Sequence, residues 1–335
     1  MEDILTGAAK AHTNIALIKY WGKIDENLNI PANDSISLTL DHFFTETEVT
    51  FSPEFEGNSL ILNHNLVPSH KLKRVNRLIN FMQKKYQTEN FAKIKTINHV
   101  PTAAGLASSA SGMAALAGAC YAALDKTSNI NYQEISKIAR LGSGSASRSV
   151  FGGLVQWHRG NSHDSSFAEQ LAKPDNLDLN IIAVIVNRHE KKIKSTAGMR
   201  QTSLTSPYYA QWVKEANNAI PLMKAAIAAH DFTRIGELSE QSASLMHATT
   251  LAANPAFTYF EPDTIRVIKI VQELRQAGIE CYYTIDAGPN VKIICQSKNI
   301  KKITRYLKWS FNNQQIVVAR PGDGIKISKS KRDFN

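Results

Sequence analysis

Polar and apolar residues alternate with a period of two over Ser35–Leu40 and again over Thr45–Phe51, and Ser59–Leu62 continues the pattern. That period places one set of side chains on each face of a pleated strand, so it predicts an amino-terminal antiparallel sheet. Ile15 to Ile18 is a short apolar run that fits a buried strand or a helical turn. From Lys71 to Tyr86 the period changes: Leu72, Val75, Leu78, Ile79 and Met82 share one face, which predicts a helix with a basic outer side. Ala92–Ile97 returns to strand, Met113–Leu124 reads as an Ala-rich buried helix, Asn131–Leu141 as an amphipathic helix, and Val150–Trp157 as a strand.

In the second half, Leu179–Val186 is apolar and β-branched, as a strand covered on both faces would be. Helices are predicted over Tyr208–Ala229, Phe232–Thr249 and Asp263–Gln276, the last stopped by Gly278. Cys281–Cys295 reads as strand, turn, strand. The fold class is therefore α+β, with a ferredoxin-like layer in the carboxy-terminal half. A chain of 335 residues is long enough for two domains of about 150 residues each, and the polar segment before Leu179 suggests a division into 1–180 and 181–335.

Composition narrows the function. With 43% hydrophobic and 20% charged residues, and no apolar run long enough to span a bilayer, the chain reads as an ordinary globular protein without membrane association. The start has neither a basic nor an apolar leader segment, and Cys120, Cys281 and Cys295 lack metal-ligand spacing and lie in apolar runs. The expectation is buried thiols in a reducing cytoplasm. The net charge of +10 calls for an anionic partner, but the Lys and Arg clusters are scattered and carry no interleaved aromatic residues. A small anionic substrate is favoured over nucleic acid.

Five segments carry candidate chemistry. Pro101–Gly112 combines Gly105 with Ser108 and Ser109 just before the Ala-rich helix; it suits either a phosphate cradle at a helix start or a plain Ser-capped core helix, and it is not a Walker loop. Lys19, Tyr20 and Lys23 can donate to phosphate oxygens, or form a surface patch around Trp21. Gly142–Ser149 is rich in small hydroxyl residues and holds Arg148, whose fork suits a carboxylate or phosphate; a flexible linker is the bland reading. Lys191–Arg200 is a second basic anion site or an exposed loop. Asp286 stands where a strand ends, as a catalytic carboxylate or a turn former before Gly288-Pro289-Asn290.

Taken together and in order, Asn14–Lys23, Pro101–Gly112, Gly142–Ser149, Ser195–Met199 and Asp286–Asn290 resemble the motifs of the diphosphomevalonate decarboxylase family of the GHMP kinase superfamily. The resemblance spans nearly the whole chain. It implies a GHMP-kinase-like fold, with a ribosomal protein S5 domain 2-like first domain, a ferredoxin-like second domain, and a site in the cleft between them. It implies ATP and Mg2+ as cofactors, mevalonate diphosphate as substrate, and a homodimer. By position, Asp286 would accept the proton of the substrate 3-hydroxyl, Arg148 would hold its carboxylate and help to orient Asp286, and Lys23 would complete the catalytic set. Substrate binding would fall to Asn14, Tyr20, Lys23, Ser143, Ser145, Arg148, Ser195, Thr196, Met199 and Arg200. ATP would bind Ala104, Gly105, Leu106, Ala107, Ser108, Ser109 and Ser111, with Ser109 toward Mg2+. The implied reaction phosphorylates the tertiary 3-hydroxyl, then loses phosphate and CO2 to give isopentenyl diphosphate. Typical superfamily kinases carry Gly-x-Gly-Gly-Gly where this chain has Asp286-Ala-Gly-Pro-Asn. That difference favours the decarboxylase branch over mevalonate kinase; a mevalonate 3-kinase, a phosphomevalonate decarboxylase and a non-catalytic binding protein on the same scaffold remain as alternatives.

Overall fold

The computed structural model describes residues 4–99, 108–127, 129–176, 178–189 and 191–334. The first half runs β1 (Leu5–Ile18), β2 (Lys23–Asp25), β3 (Ile30–Pro31), β4 (Ser35–Ser52), β5 (Ser59–Leu62), β6 (Asn65–Leu66), α1 (Lys73–Tyr86), β7 (Phe91–His99), α2 (Ser108–Leu124), α3 (Tyr132–Gly142), β8 (Leu154–Trp157) and β9 (Ala168–Ala172). The second half continues with β10 (Asn180–Val184), α4 (Ser195–Thr205), α5 (Tyr209–Ala228), α6 (Phe232–Leu251), α7 (Pro262–Gln276), β11 (Cys281–Ile285), β12 (Val291–Cys295), α8 (Ser297–Leu307), β13 (Ile316–Ala319) and β14 (Lys326–Ser328). Two sheets result. The first has the order β14-β1-β4-β7-β5-β6, with β8 joined to the early part of β4 and β9 to β8, and the second has the order β11-β12-β10-β13.

The two alternating segments at Ser35–Leu40 and Thr45–Phe51 form a single strand, β4. His12 pairs with Phe44 and Asn14 with Thr39, so Thr13 stands alone opposite residues 40–43. This irregularity bends the strand, letting its first part pair with β8 and its second with β7. The expected Gly/Ser loop after α3 is also more regular than its composition suggests, because residues Gly144–Val150 wind into a 3₁₀ helix.

The Ala-rich composition of α2 has a packing cause. A Cβ on Gly7 of β1 would stand 2.3 Å from the Ala119 carbonyl oxygen, and one on Gly118 would stand 3.0 Å from Ala9 Cβ. Helix and sheet thus approach so closely that only small residues fit, and α2 is buried around most of its circumference. Helix starts and stops are locally encoded as well. Asn131 caps α3 through Glu134 N–H, Asp231 caps α6 through Arg234 N–H, and Gly278 closes α7 at φ +76°.

The second sheet is covered on both faces. Helices α7 and α8 bring Val267, Val271, Leu274, Ile303 and Leu307 onto one side. On the other side Ile181, Ala183 and Ile294 join a core that includes Met223 and Leu238 of α5 and α6 and also Ile15, Leu17, Ile18, Ile36 and Leu38 of the first half. The halves are therefore fused through a common core, and β14 returns from the end of the chain to pair with Ala8–Lys10 of β1. One strand of the first sheet thus comes from the last residues of the second half. Burying each such side chain contributes about 1.5–3 kcal/mol, so exposing even four of them rivals the roughly 5–15 kcal/mol that holds a typical domain folded.

Candidate active site

The ends of β1 and β11 meet at one side of a cleft of about 770 Å³. Lys19 follows β1 directly, fixed by its N–H to Ser242 Oγ (3.0 Å) and by its carbonyl, which accepts from Asn33 Nδ2 (2.8 Å). Asp286 follows β11. Lys19 Nζ donates to Asp286 Oδ1 at 2.6 Å and to the Ala16 carbonyl at 2.7 Å. From β12, Lys292 Nζ lies 3.2 Å from Asp286 Oδ2. Burial raises the Asp286 carboxyl, but Lys19 and Lys292 outweigh it and hold the group well below the usual carboxylate range. Burial lowers Lys19 to about 8, against the opposing pull of Asp286.

Arg148 enters the same cleft from the 3₁₀ helix, with Nε donating to Asn14 Oδ1 (3.2 Å) and Nη1 to Ser35 Oγ (2.7 Å). Asn14 in turn donates to Ser149 Oγ (2.8 Å) and the Ser145 carbonyl (3.0 Å). Burial lowers Arg148 to about 10, which leaves it charged at neutral pH. The hydrogen-bond partners of Arg148 are Asn14 and Ser35, and those of the Asp286 carboxylate are Lys19 and Lys292; Arg148 acts on Asp286 here through charge alone.

Most of the other sequence candidates line the cleft: Asn14, Tyr20, Lys23, Ser143, Ser145, Ser195, Thr196 and Met199, together with Ser108 and Ser109 at the start of α2. Tyr20 packs edge-on against Trp157, and burial raises its phenol. Lys23 donates to Asn29 Oδ1, and burial with Arg74 nearby lowers it to about 8. Ser195 Oγ accepts from Lys191 at 2.8 Å, and Thr196 Oγ1 accepts from Arg74 of α1 at 3.1 Å. Two candidates stand apart. Arg200 is exposed and outside the cleft lining, while buried Ser111 is hydrogen-bonded to Thr45 Oγ1 at 2.7 Å. Ala104, Gly105, Leu106 and Ala107 lie outside the described residues.

Lys19, Lys23, Lys73, Arg74, Arg77, Arg148, Lys191 and Lys194 line the walls, against Glu26 and Asp286. Two basic clusters far apart in the chain, around Arg74 and Lys191, thus converge in space. Lys73, Arg74 and Arg77 escape a sequence reading because a basic helix face is usually a solvated one. Lys292 had a subtler signal, a lone ammonium within the apolar strand Val291–Cys295, where a buried charge requires a partner. Among the described residues no cluster of three His, Cys, Asp or Glu forms a metal cage. A Mg2+ ion held by one hydroxyl and substrate phosphates fits such a donor set.

Comparison with known proteins agrees with this site. A family profile described as diphosphomevalonate decarboxylase-like N-terminal domain matches residues 11–168, and one described as mevalonate 5-diphosphate decarboxylase C-terminal domain matches residues 181–332. The chain belongs to the diphosphomevalonate decarboxylase family. Among its relatives, diphosphomevalonate decarboxylase from Candida albicans is 35% identical over 92% of this chain and 89% of the relative, and that from Saccharomyces cerevisiae 34% over 92% and 83%. A solved structure of the mevalonate diphosphate decarboxylase from Enterococcus faecalis is 42% identical, covers 98% of this chain and 100% of that one, and superposes with a TM-score of 0.92. A further structure, described as MDDEF in complex with MVAPP, AMPPCP and magnesium, is 43% identical with the same coverage and a TM-score of 0.93. The fold is accordingly the GHMP-kinase-like one expected of a diphosphomevalonate decarboxylase.

Proposed function

We propose that the protein catalyses the ATP-dependent decarboxylation of (R)-5-diphosphomevalonate to isopentenyl diphosphate, with ADP, phosphate and CO2 as co-products. The observation that carries this reading is Asp286 paired with two ammonium groups at the edge of a cleft whose charged lining is chiefly cationic. The relatives named for this activity, and the complex with MVAPP, AMPPCP and magnesium, support it.

The chemistry follows from the substrate. A tertiary hydroxyl leaves poorly, so it is first converted to a phosphate ester: Asp286 takes its proton while the oxygen attacks the γ-phosphorus of ATP. ADP departs. The C–O bond to the new phosphate then breaks, positive charge develops at C3, and the electron pair of the C–CO2 bond moves in to form the alkene as CO2 leaves. Arg148 aligns the carboxylate; Lys23, Tyr20, Ser143 and Ser195 receive the diphosphate; Ser108 and Ser109 bring the start of α2, the positive end of its dipole, toward the ATP phosphates. Mg2+, with Ser109 and the phosphates as its ligands, supplies charge neutralisation during transfer. Cations placed in advance around this charge stabilise the transition state without reorganising.

A homodimer, a cytoplasmic location and a division of labour between residues 1–180 and 181–335 complete the proposal. Three buried free cysteines support the location. The test supplies ATP, Mg2+ and carboxyl-labelled mevalonate diphosphate and follows ADP and labelled CO2 together. Equal yields are expected. ADP without CO2 assigns a 3-kinase instead, and the absence of both products refutes the reading.

A further inference from the structure

One oxygen of Asp286 is held from a side that the cleft does not reach. Lys292 is the second residue of β12, between Thr284 of β11 and Ala183 of β10, and its side chain is 1% exposed. An ammonium in such a place is costly unless it is met by charge and hydrogen bonds. It donates to the Asn290 carbonyl at 3.1 Å and pairs with Asp286 Oδ2 at 3.2 Å. Lys19 mirrors it on Oδ1 and on a second main-chain carbonyl. The two lysines differ in one respect: Lys19 lines the cleft, and Lys292 does not. Below them, His247 Nε2 donates to the carbonyl of Ile285 at 3.2 Å, fixing the main chain from which Asp286 projects.

We propose that Lys292 is a positioning residue for the reaction: by holding Oδ2 from the buried side it keeps Asp286 ionised and turns Oδ1, together with Lys19, toward the substrate hydroxyl. This rests on the reading of Asp286 as proton acceptor. A single ammonium would leave the carboxylate free to rotate, because the Oδ1 contact alone does not fix the plane of the group. Two opposed ammonium groups define that plane. They also leave a net positive charge, which favours the alkoxide character that develops as the hydroxyl loses its proton, and which returns Asp286 to its ionised form after turnover. A residue that merely filled space would need neither the charge nor the contact with Oδ2.

Other charged groups face Asp286 from neighbouring elements. Arg148 and Lys191 add to the positive field from the 3₁₀ helix and from the segment before α4. His247 of α6, lowered to about 4 by burial, is neutral across the working range. Removing Lys292 therefore leaves Lys19, Arg148 and Lys191 in place, and the change it causes is its own.

The experiment compares the full-length protein with Lys292→Met, which keeps the volume and removes the charge, and Lys292→Arg, which keeps the charge. In the ligand-free protein the Asp286 carboxyl carbon is followed by 13C NMR and assigned by its loss in Asp286→Asn. Its protonation midpoint is expected to move upward by a unit or more in Lys292→Met and to stay low in Lys292→Arg. In turnover, Lys292→Met is expected to lose roughly tenfold or more in kcat with KM for both substrates little changed, and its acid limb should shift to higher pH. Lys292→Arg should recover most of both. An unshifted midpoint in a folded Lys292→Met protein overturns the proposal, as does a fall in thermal stability with an unmoved acid limb. Should Lys292→Met not fold, Lys292→Gln carries the same titration. If the wild-type protein releases no CO2, the decarboxylase reading fails, while the NMR titration still decides whether Lys292 sets the state of Asp286.

Discussion

Arg148 and Asp286 face one cleft without sharing a hydrogen bond. The guanidinium is aimed by Asn14 and Ser35, whereas both carboxylate oxygens are taken by lysines. The two groups are thus positioned independently, and their loss should be separable in kinetics.

Replacing Arg148 by Lys keeps a cation and loses the fork that spans Asn14 and Ser35. A charge-assisted hydrogen bond of about 1.5–3 kcal/mol corresponds to roughly 10- to 100-fold, and we expect that loss chiefly in kcat. Steady-state assay of CO2 release checks it; an unchanged kcat would remove Arg148 from contact with the reacting carboxylate.

Asp286→Asn retains the shape and an acceptor for Lys19 but cannot take a proton. Nucleotide binding, measured by calorimetry, should persist, while ADP and CO2 formation should fall by about 10²–10⁴, the usual worth of a positioned base. Near-normal turnover would assign the proton to another group.

Raising the pH should weaken the enzyme in two distinguishable ways. Lys23 and Lys19 are each lowered to about 8, so both are cationic at neutral pH and lose their charge as pH rises through that value. Loss at Lys23 removes a diphosphate contact and should raise the substrate KM; loss at Lys19 acts beside Asp286 and should lower kcat. In Lys23→Met the KM should be high throughout and flat across this range.

His158 supplies a stability test remote from the cleft. It lies 3.6 Å from Asp34 Oδ2 and hydrogen-bonds to Glu169 Oε1 at 2.9 Å, and the nearby Asp34 carboxylate, then that of Glu169, raise it above 6.5 despite partial burial. The folded state therefore binds this proton more tightly than the unfolded state. The contribution is complete below pH 6.5 and is lost as pH climbs through the raised value. Denaturant unfolding should show that decline in the wild type and a flatter profile in His158→Gln.

Much of the architecture is readable in the sequence because it is written in local periods. The Val75–Met82 stripe, the caps at Asn131 and Asp231, and the stop at Gly278 each act within a few residues. What escapes is set at a distance. Nothing local in Ser35–Ser52 announces one continuous strand, since its bend arises opposite Thr13 of β1. Helix α8 and strands β13 and β14 went unread, although Ile303 and Leu307 anchor α8 as firmly as other helices. The site shows the same limit. The sequence offers Asn14, Arg148 and Asp286 as site residues, but only the fold reveals that Lys19 turns to the carboxylate rather than to phosphate, and that Lys292 reaches it from behind.

The pairing of β14 with β1 sets an order of events during synthesis. On the ribosome the outer edge of β1 is made some three hundred residues before its partner Lys326–Ser328. Through most of translation that edge presents unpaired N–H and C=O groups at Ala8–Lys10, an invitation to pairing with another nascent chain.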